Sequence, residues 1–274
     1  MSLISAAVCP HPPALIPAVA GDAAPESNTL RAACIEAIRR LRVPKFGDES
    51  DGWAKGRSKG FVADPTLPDR LVIVGCDDTT TAYESDRAMG SLRRYGIDWD
   101  WDIAWCRGEP GTLPLPLSLS IGLWLVTGNG PRGMFFTTFS YQSISFDASA
   151  QECVALGREL ATQGERVAML VVGEAALNEQ SQAVDRAEVY NSTLIRAFAH
   201  GDTTALALLD PVESQTLHAT GRASWQVLAG AAEGRELRGQ ILSDSASHAR
   251  GHVVASWTSA ADSEPELTPS ARES

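Results

Sequence analysis

The chain lacks paired cysteines, a surplus of basic residues and any long apolar run. Its five cysteines are dispersed without a Cys-x-x-Cys pair, which argues against a structural zinc site and favours buried thiols in a reducing cytoplasm. With 23 basic and 34 acidic residues, the formal net charge is −11, so nucleic acid and anionic membranes are not expected partners. The longest later apolar run, residues 113–126, contains two prolines and is too short to span a bilayer.

Several functional motifs are also missing. No basic region precedes the first apolar run, so no signal peptide is expected. The sequence contains neither a Gly-x-Ser-x-Gly elbow nor a Walker loop, which argues against a serine hydrolase and a P-loop nucleotide site. The glycines at 128, 130 and 133 match the dinucleotide spacing, but they follow a helix-like tract and enclose a proline, so they are predicted to form a turn.

The remaining pattern is that of an α/β protein. Hydrophobic residues make up 44% of the chain and charged residues 21%, which is ordinary globular composition. Short apolar runs alternate with amphipathic segments, which predicts one domain with a central, mostly parallel or mixed sheet flanked by helices. The domain is predicted over residues 1–258, with a long loop or insertion at 45–68 and a disordered tail at 259–274. Strands are predicted before Pro10 and at 70–76, 99–105, 135–139, 166–173, 237–242 and 252–257, and helices at 25–44, 114–126, 149–163, 183–200, 203–209 and 221–232.

One histidine lies on a rigid turn at the end of the first strand. The apolar run from Leu3 stops at Pro10, and two more prolines follow His11. Prolines end the strand, exclude a helix interior and hold His11 in an extended conformation. In open α/β sheets ligands bind at the carboxyl ends of strands. His11 is therefore either an ordinary turn residue bonded to a backbone carbonyl or a ligand held by stiff backbone on both sides.

This opening is similar to that of the class III extradiol dioxygenase superfamily, which includes the catalytic subunit of the protocatechuate-cleaving ring dioxygenase and the Memo-like proteins. The resemblance rests on Pro10-His11-Pro12-Pro13, then Leu15-Ile16-Pro17 and Gly21, with further patterns at 171–176, 221–231 and 251–255. It extends over roughly Ser2 to Trp257, and only Pro-His-Pro-Pro is a specific motif.

The resemblance implies the fold of the extradiol catalytic subunit and a non-haem iron held by two histidines and one carboxylate. His11 is the position of the first ligand, and a further histidine serves as acid–base catalyst beside a catechol. The metal is expected to be Fe(II), with Zn or Mn as alternatives, or to be absent if the site is degenerate. A small aromatic molecule is the expected ligand. Because members of this family often form dimers or larger assemblies, the resemblance also implies a homo-oligomer.

The sequence departs from the family at the other ligand positions. The second strand ends in Cys76, Asp77 and Asp78 where a histidine is expected. Glu174 and the four residues after it contain no histidine, and no carboxylate occurs at 220–222. A single imidazole cannot hold iron.

Three carboxylates could rebuild such a site with His11. Asp77 and Asp78 follow the second strand and are predicted metal ligands, whereas the alternative is that they cap a helix starting near Thr79. Glu174 follows a third strand and is the predicted catalytic partner of His11, whereas the alternative is an ordinary acid in a loop or at a helix start. The later histidines, His218, His248 and His252, are interpreted as surface residues, although His248 or His252 could lie near the site mouth. His200 closes a helix, where a cation is favourable to the helix dipole.

Two hypotheses about function follow. In the first, the protein is an extradiol dioxygenase-like oxidoreductase, or a relative with different metal chemistry. Its first ligand is His11; Asp77, Asp78 or Glu174 replaces the missing histidines, and ring cleavage is expected to be lost. In the second, it is a non-catalytic relative, Memo-like, that binds a small molecule or another protein. The missing histidines argue against ring cleavage, and the rigid His11 turn argues for a retained binding site.

Overall fold

The central sheet is mixed, with its parallel strands in the middle. The computed structural model describes residues 3–21, 24–43, 67–103, 109–128, 138–162, 164–176, 184–244 and 251–259. Within these ranges seven strands form one sheet in the order β3-β7-β2-β8-β1-β10-β9. Strands β7, β2, β8 and β1 are mutually parallel, while β3 and β10 pair antiparallel with β7 and β1. The strands are β1 Leu3–Cys9, β2 Arg70–Asp77, β3 Thr81–Tyr83, β7 Thr138–Ser145, β8 Val167–Val172, β9 Leu237–Asp244 and β10 Val253–Ser259.

Helices cover both faces of this sheet and bury two apolar cores. The four parallel strands are apolar on both sides, so alternate residues enter opposite cores: Ala6 and Val8 pack on one face, Ala7 and Cys9 on the other. One face carries α4 Ala150–Thr162, α5 Val184–His200, α6 Thr203–Ala207, α7 Pro211–Thr216 and α8 Arg222–Ala232. The other carries α1 Pro17–Ala20, α2 Ala24–Arg39 and α3 Leu117–Thr127. The predicted α/β class is confirmed.

A small second sheet lies beside the α3 face. It has the strand order β5-β4-β6, formed by β4 Ala88–Ser91, β5 Asp100–Trp101 and β6 Leu113–Leu115. The sequence reading included only the region of β5, because segments this short carry too few residues for a period to show. Helix α7 was also missed, although Asp210 caps it by accepting a hydrogen bond from Glu213 N–H and Pro211 occupies its first turn.

Some predictions fall on residues that the structure does not describe. These are most of the 45–68 insertion, the turn at 129–133, the start of the strand at 135–139, and residues 260–274 of the tail. Ser259, predicted as the first tail residue, is the last residue of β10. Among the helices in the described ranges, none is both long and apolar enough to cross a membrane.

Candidate functional site

The carboxyl edge of the parallel strands brings His11, Glu174 and His252 together. Cys9 and Val172 are register partners on neighbouring strands, so the residues that follow β1 and β8 leave the sheet side by side. Strand β10 runs antiparallel to β1, and its first residue therefore lies at the same edge. His252 precedes that residue. The sheet topology therefore places three polar side chains, from segments far apart in the sequence, at one edge of the sheet.

Glu174 is held in place mainly by backbone hydrogen bonds. Its Oε1 accepts the His11 N–H at 2.8 Å, and its carbonyl accepts the Gly221 N–H at 3.0 Å. The next residue, Ala175, donates its N–H to Gly251 O at 2.8 Å. The preceding Gly173 permits this arrangement, because a Cβ there would lie 2.3 Å from the Gly221 Cα. Glu174 is therefore tied to the His11 turn, to the start of α8 and to the start of β10.

The Glu174 carboxyl lies between two imidazoles. His11 Nδ1 is 3.7 Å from one carboxyl oxygen and His252 Nε2 is 3.7 Å from the other, beyond hydrogen-bond distance in both cases. The three side chains are only 14–18% exposed. His11 Nδ1 and Glu174 Oε2 are buried and have no hydrogen-bond partner among the described residues. Such atoms are rare in native proteins because each unmade bond is costly, and they are available for hydrogen bonds to water or to a ligand.

Burial moves the two titrating groups in opposite directions. It raises the pKa of Glu174 to about 8, against a smaller lowering by the His11 N–H. Burial, with the nearby His252, lowers the pKa of His11 to about 4. At pH 7 the site therefore contains a protonated carboxyl group and a neutral imidazole. Perturbed pairs of this kind are concentrated at functional sites.

The structure does not bring Asp77 or Asp78 to His11. Strand β8 lies between β1 and β2, which separates their ends by about 10 Å at the usual strand spacing. The Asp77 carboxylate instead lies 3.9 Å from Arg94, and Asp78 is exposed. Neither residue caps a helix, because the chain continues into strand β3, so that alternative interpretation is wrong. Glu174 likewise does not begin a helix in the described part of the chain.

The other histidines are distributed as follows. His252, interpreted as a surface residue that could lie near the site mouth, belongs to the site itself. The only signal in the sequence was its place at the start of the predicted closing strand at 252–257. His200 is the last residue of α5, as predicted. His218 is an exposed residue in the turn before α8, and His248 lies outside the described residues.

The metal implied by the resemblance requires several donors that converge on one point. Within the described ranges, no group of three or more His, Cys, Asp or Glu side chains is arranged to hold a metal ion. His11 and His252 instead approach different oxygens of Glu174. As placed, these side chains do not fit such an ion.

Comparisons with known proteins add little about chemistry. No protein-family model matches the chain, and no curated protein matches it. Among solved structures, the crystal structure of an uncharacterised protein from Escherichia coli K12 is similar with a TM-score of 0.45 and 11% sequence identity. The match covers 93% of this chain and 99% of that one. A likeness of this size says nothing about what either protein does.

Proposed function

We propose that this protein is an extradiol dioxygenase-like protein without ring-cleavage activity. We further propose that the site formed by His11, Glu174 and His252, called the carboxyl-edge site below, binds a small aromatic molecule. The proposal depends on two buried atoms that have no hydrogen-bond partner within the described ranges, His11 Nδ1 and Glu174 Oε2. Prolines restrict the main chain on both sides of His11, and a hydrogen bond from Gly221 fixes that of Glu174, so neither residue can shift its main chain to reach another protein partner at low cost. A ligand that supplies hydrogen bonds would satisfy both.

The protonation states favour an uncharged, hydroxylated ligand. A protonated Glu174 can both donate and accept a hydrogen bond, and a neutral His11 ring offers one donor and one acceptor. Neighbouring phenolic hydroxyl groups offer the same combination, so a catechol is complementary to this pair. A ligand with a full charge would gain no ion pair from these two groups at pH 7 and would lose hydration.

The metal content of the protein tests the first half of the proposal. Protein purified without chelator is expected to contain iron, manganese and zinc far below one equivalent by elemental mass spectrometry, because the described donors do not converge. His11→Ala and His252→Ala should give the same values. Near-stoichiometric metal that disappears in both variants would contradict the proposal and establish a metal centre at His11, Glu174 and His252.

Catechol binding tests the second half. Isothermal titration at pH 7 is expected to show saturable binding of catechol, with no oxygen consumption in a parallel electrode measurement. His11→Ala should weaken binding roughly tenfold, the worth of one or two hydrogen bonds. His200→Ala is the matched control, since it removes an imidazole at the distant end of α5 and should leave binding unchanged. No saturable heat, or oxygen uptake with ring-cleaved product, would overturn the proposal.

A further inference from the structure

A small cavity lies beyond the end of β7, away from the three residues described above. It has a volume of about 200 Å³ and is bounded by the residues after β7, the start of α7 and the turn into α8. Its wall is largely apolar, with Phe146, Pro211, Ala219 and Ala223 among the lining residues. None of His11, Glu174 and His252 lines it. A space of this size suits a molecule of about one ring.

Arg222 brings a buried positive charge to the wall of this cavity. The residue is 4% exposed, and its guanidinium donates to Ala148 O at 2.5 Å, to Gln226 Oε1 at 3.0 Å and to Phe146 O. These acceptors are all neutral. No carboxylate in the described part of the chain forms an ion pair with Arg222. Buried charges in proteins are normally paired, so this cation lacks its usual counterpart.

Unused donors accompany that charge. The Nε–H group of Arg222 and the second hydrogen on Nη2 have no acceptor among the described residues. Thr220, two residues earlier, also lines the cavity, and its buried hydroxyl has no hydrogen-bond partner in the part of the chain that the structure describes. A cation without an ion-pair partner and an unpartnered hydroxyl, both as far as the structure describes the chain, therefore belong to residues that line one cavity, whose other lining residues include the polar Ser214, Gln215 and His218.

We propose that this cavity is a second binding site, and that its ligand is a small organic carboxylate. The carboxylate would lie against Arg222 and Thr220, where a charge-assisted hydrogen bond is stronger than a neutral one. The apolar body would occupy the space beside Phe146 and Pro211. One acidic residue, Asp147, also lines the cavity, but it is exposed and weakens anion binding only from the rim.

This cavity is distinct from the carboxyl-edge site, but one backbone hydrogen bond connects the residues of the two sites. Gly221, between Thr220 and Arg222, donates its N–H to the carbonyl of Glu174. The inference stands on the cavity, the unpaired cation and the unpartnered hydroxyl, and it does not require the proposed function. A failure of either proposal leaves the other untouched, provided that the experiment separates the two sites.

Benzoate is the probe, with benzamide as its uncharged counterpart. Titration followed by NMR is expected to show saturable benzoate binding and none for benzamide. Thr220→Val should raise the dissociation constant roughly three- to tenfold, the worth of one hydrogen bond, and should fold normally because the hydroxyl it removes has no partner. Asp147→Asn should lower the dissociation constant about two- to threefold by removing a like charge at the rim.

Two controls make the outcome decisive. Asp86→Asn makes the same change in net charge at an exposed turn away from the cavity, and should leave benzoate affinity unchanged. His11→Ala should also leave it unchanged, because that residue does not line the cavity. Three results would overturn the inference: no benzoate binding by the folded protein, equal binding of benzamide, or benzoate binding that depends on His11 and not on Asp147.

Discussion

Glu174→Gln is expected to increase the free energy of unfolding by about 3 kcal/mol at pH 7. The carboxyl group has a pKa of about 8 in the folded protein against a normal value of 4.5. Between these values the unfolded chain is ionised and the folded chain must retain its proton, which opposes folding. Glutamine cannot ionise, and its oxygen can still accept the His11 N–H that Glu174 accepts at 2.8 Å. Urea unfolding measures the difference.

The sign of the pH dependence follows from proton binding. From pH 4.5 to 8 the folded state binds more protons at Glu174 than the unfolded state does, so this residue lowers stability as pH rises. His11, with its pKa lowered from 6.5 to about 4, acts oppositely and raises stability between those two values. The two effects on stability largely cancel between pH 4.5 and 6.5, where both groups contribute. The wild type should therefore lose about 2 kcal/mol between pH 6.5 and 8.

The Gln variant should not show that loss. Its stability is expected to be nearly flat from pH 6.5 to 8, because the Glu174 contribution is gone and the His11 contribution is almost complete at pH 6.5. Glu188→Gln is the matched control, since it removes an exposed carboxylate on α5 and should leave the wild-type profile unchanged. Parallel profiles for the wild type and Glu174→Gln would show that Glu174 is not buried in its protonated form.

Gly173→Ala is expected to destabilise the fold by about 3 kcal/mol and to abolish catechol binding. A Cβ at this position would lie 2.3 Å from Gly221 Cα and 3.2 Å from Ser224 Oγ. The first contact is with backbone, so it cannot be relieved by rotating a side chain. The start of α8 would have to move away from β8. This movement would break the hydrogen bond that the Gly221 N–H donates to the Glu174 carbonyl.

Gly234→Ala supplies the comparison for that variant. Gly234 has a φ of +71° and no atom within 4 Å of a built Cβ, so its substitution introduces backbone strain without crowding. A cost of about 1 kcal/mol is expected, with catechol binding retained. If Gly173→Ala were no worse than Gly234→Ala, the close approach of β8 and α8 would not be what positions Glu174.

The local elements could be predicted from the sequence because their signals lie within a few residues. The apolar runs of β1, β2 and β8 indicate strands buried on both faces, and all three are where the pattern places them. Pro10 ends β1 because it cannot continue a sheet ladder. The apolar stripe of α4 likewise predicts that helix to within a residue at each end. These features depend on backbone sterics and on the spacing of apolar side chains along one segment.

The composition of the site could be predicted only in part. His11 and Glu174 were recognisable because each is the second residue after the end of a buried strand. The structure places them next to each other because β1 and β8 are neighbours, and it places Asp77 apart because β8 separates β2 from β1. His252 joins them because β10 pairs antiparallel with β1 and so begins at the edge where β1 ends.

The sequence by itself therefore determined which residues stand at strand ends, and the tertiary structure decided which of those ends meet. Strand order results from the packing of helices and strands over the whole sheet, and no short segment contains that information. The cavity beside Arg222 could not be predicted from a short segment either, because its wall combines residues that are about 75 positions apart along the chain. The burial of the Arg222 and Glu174 side chains likewise exists only once the sheet and its helices have assembled.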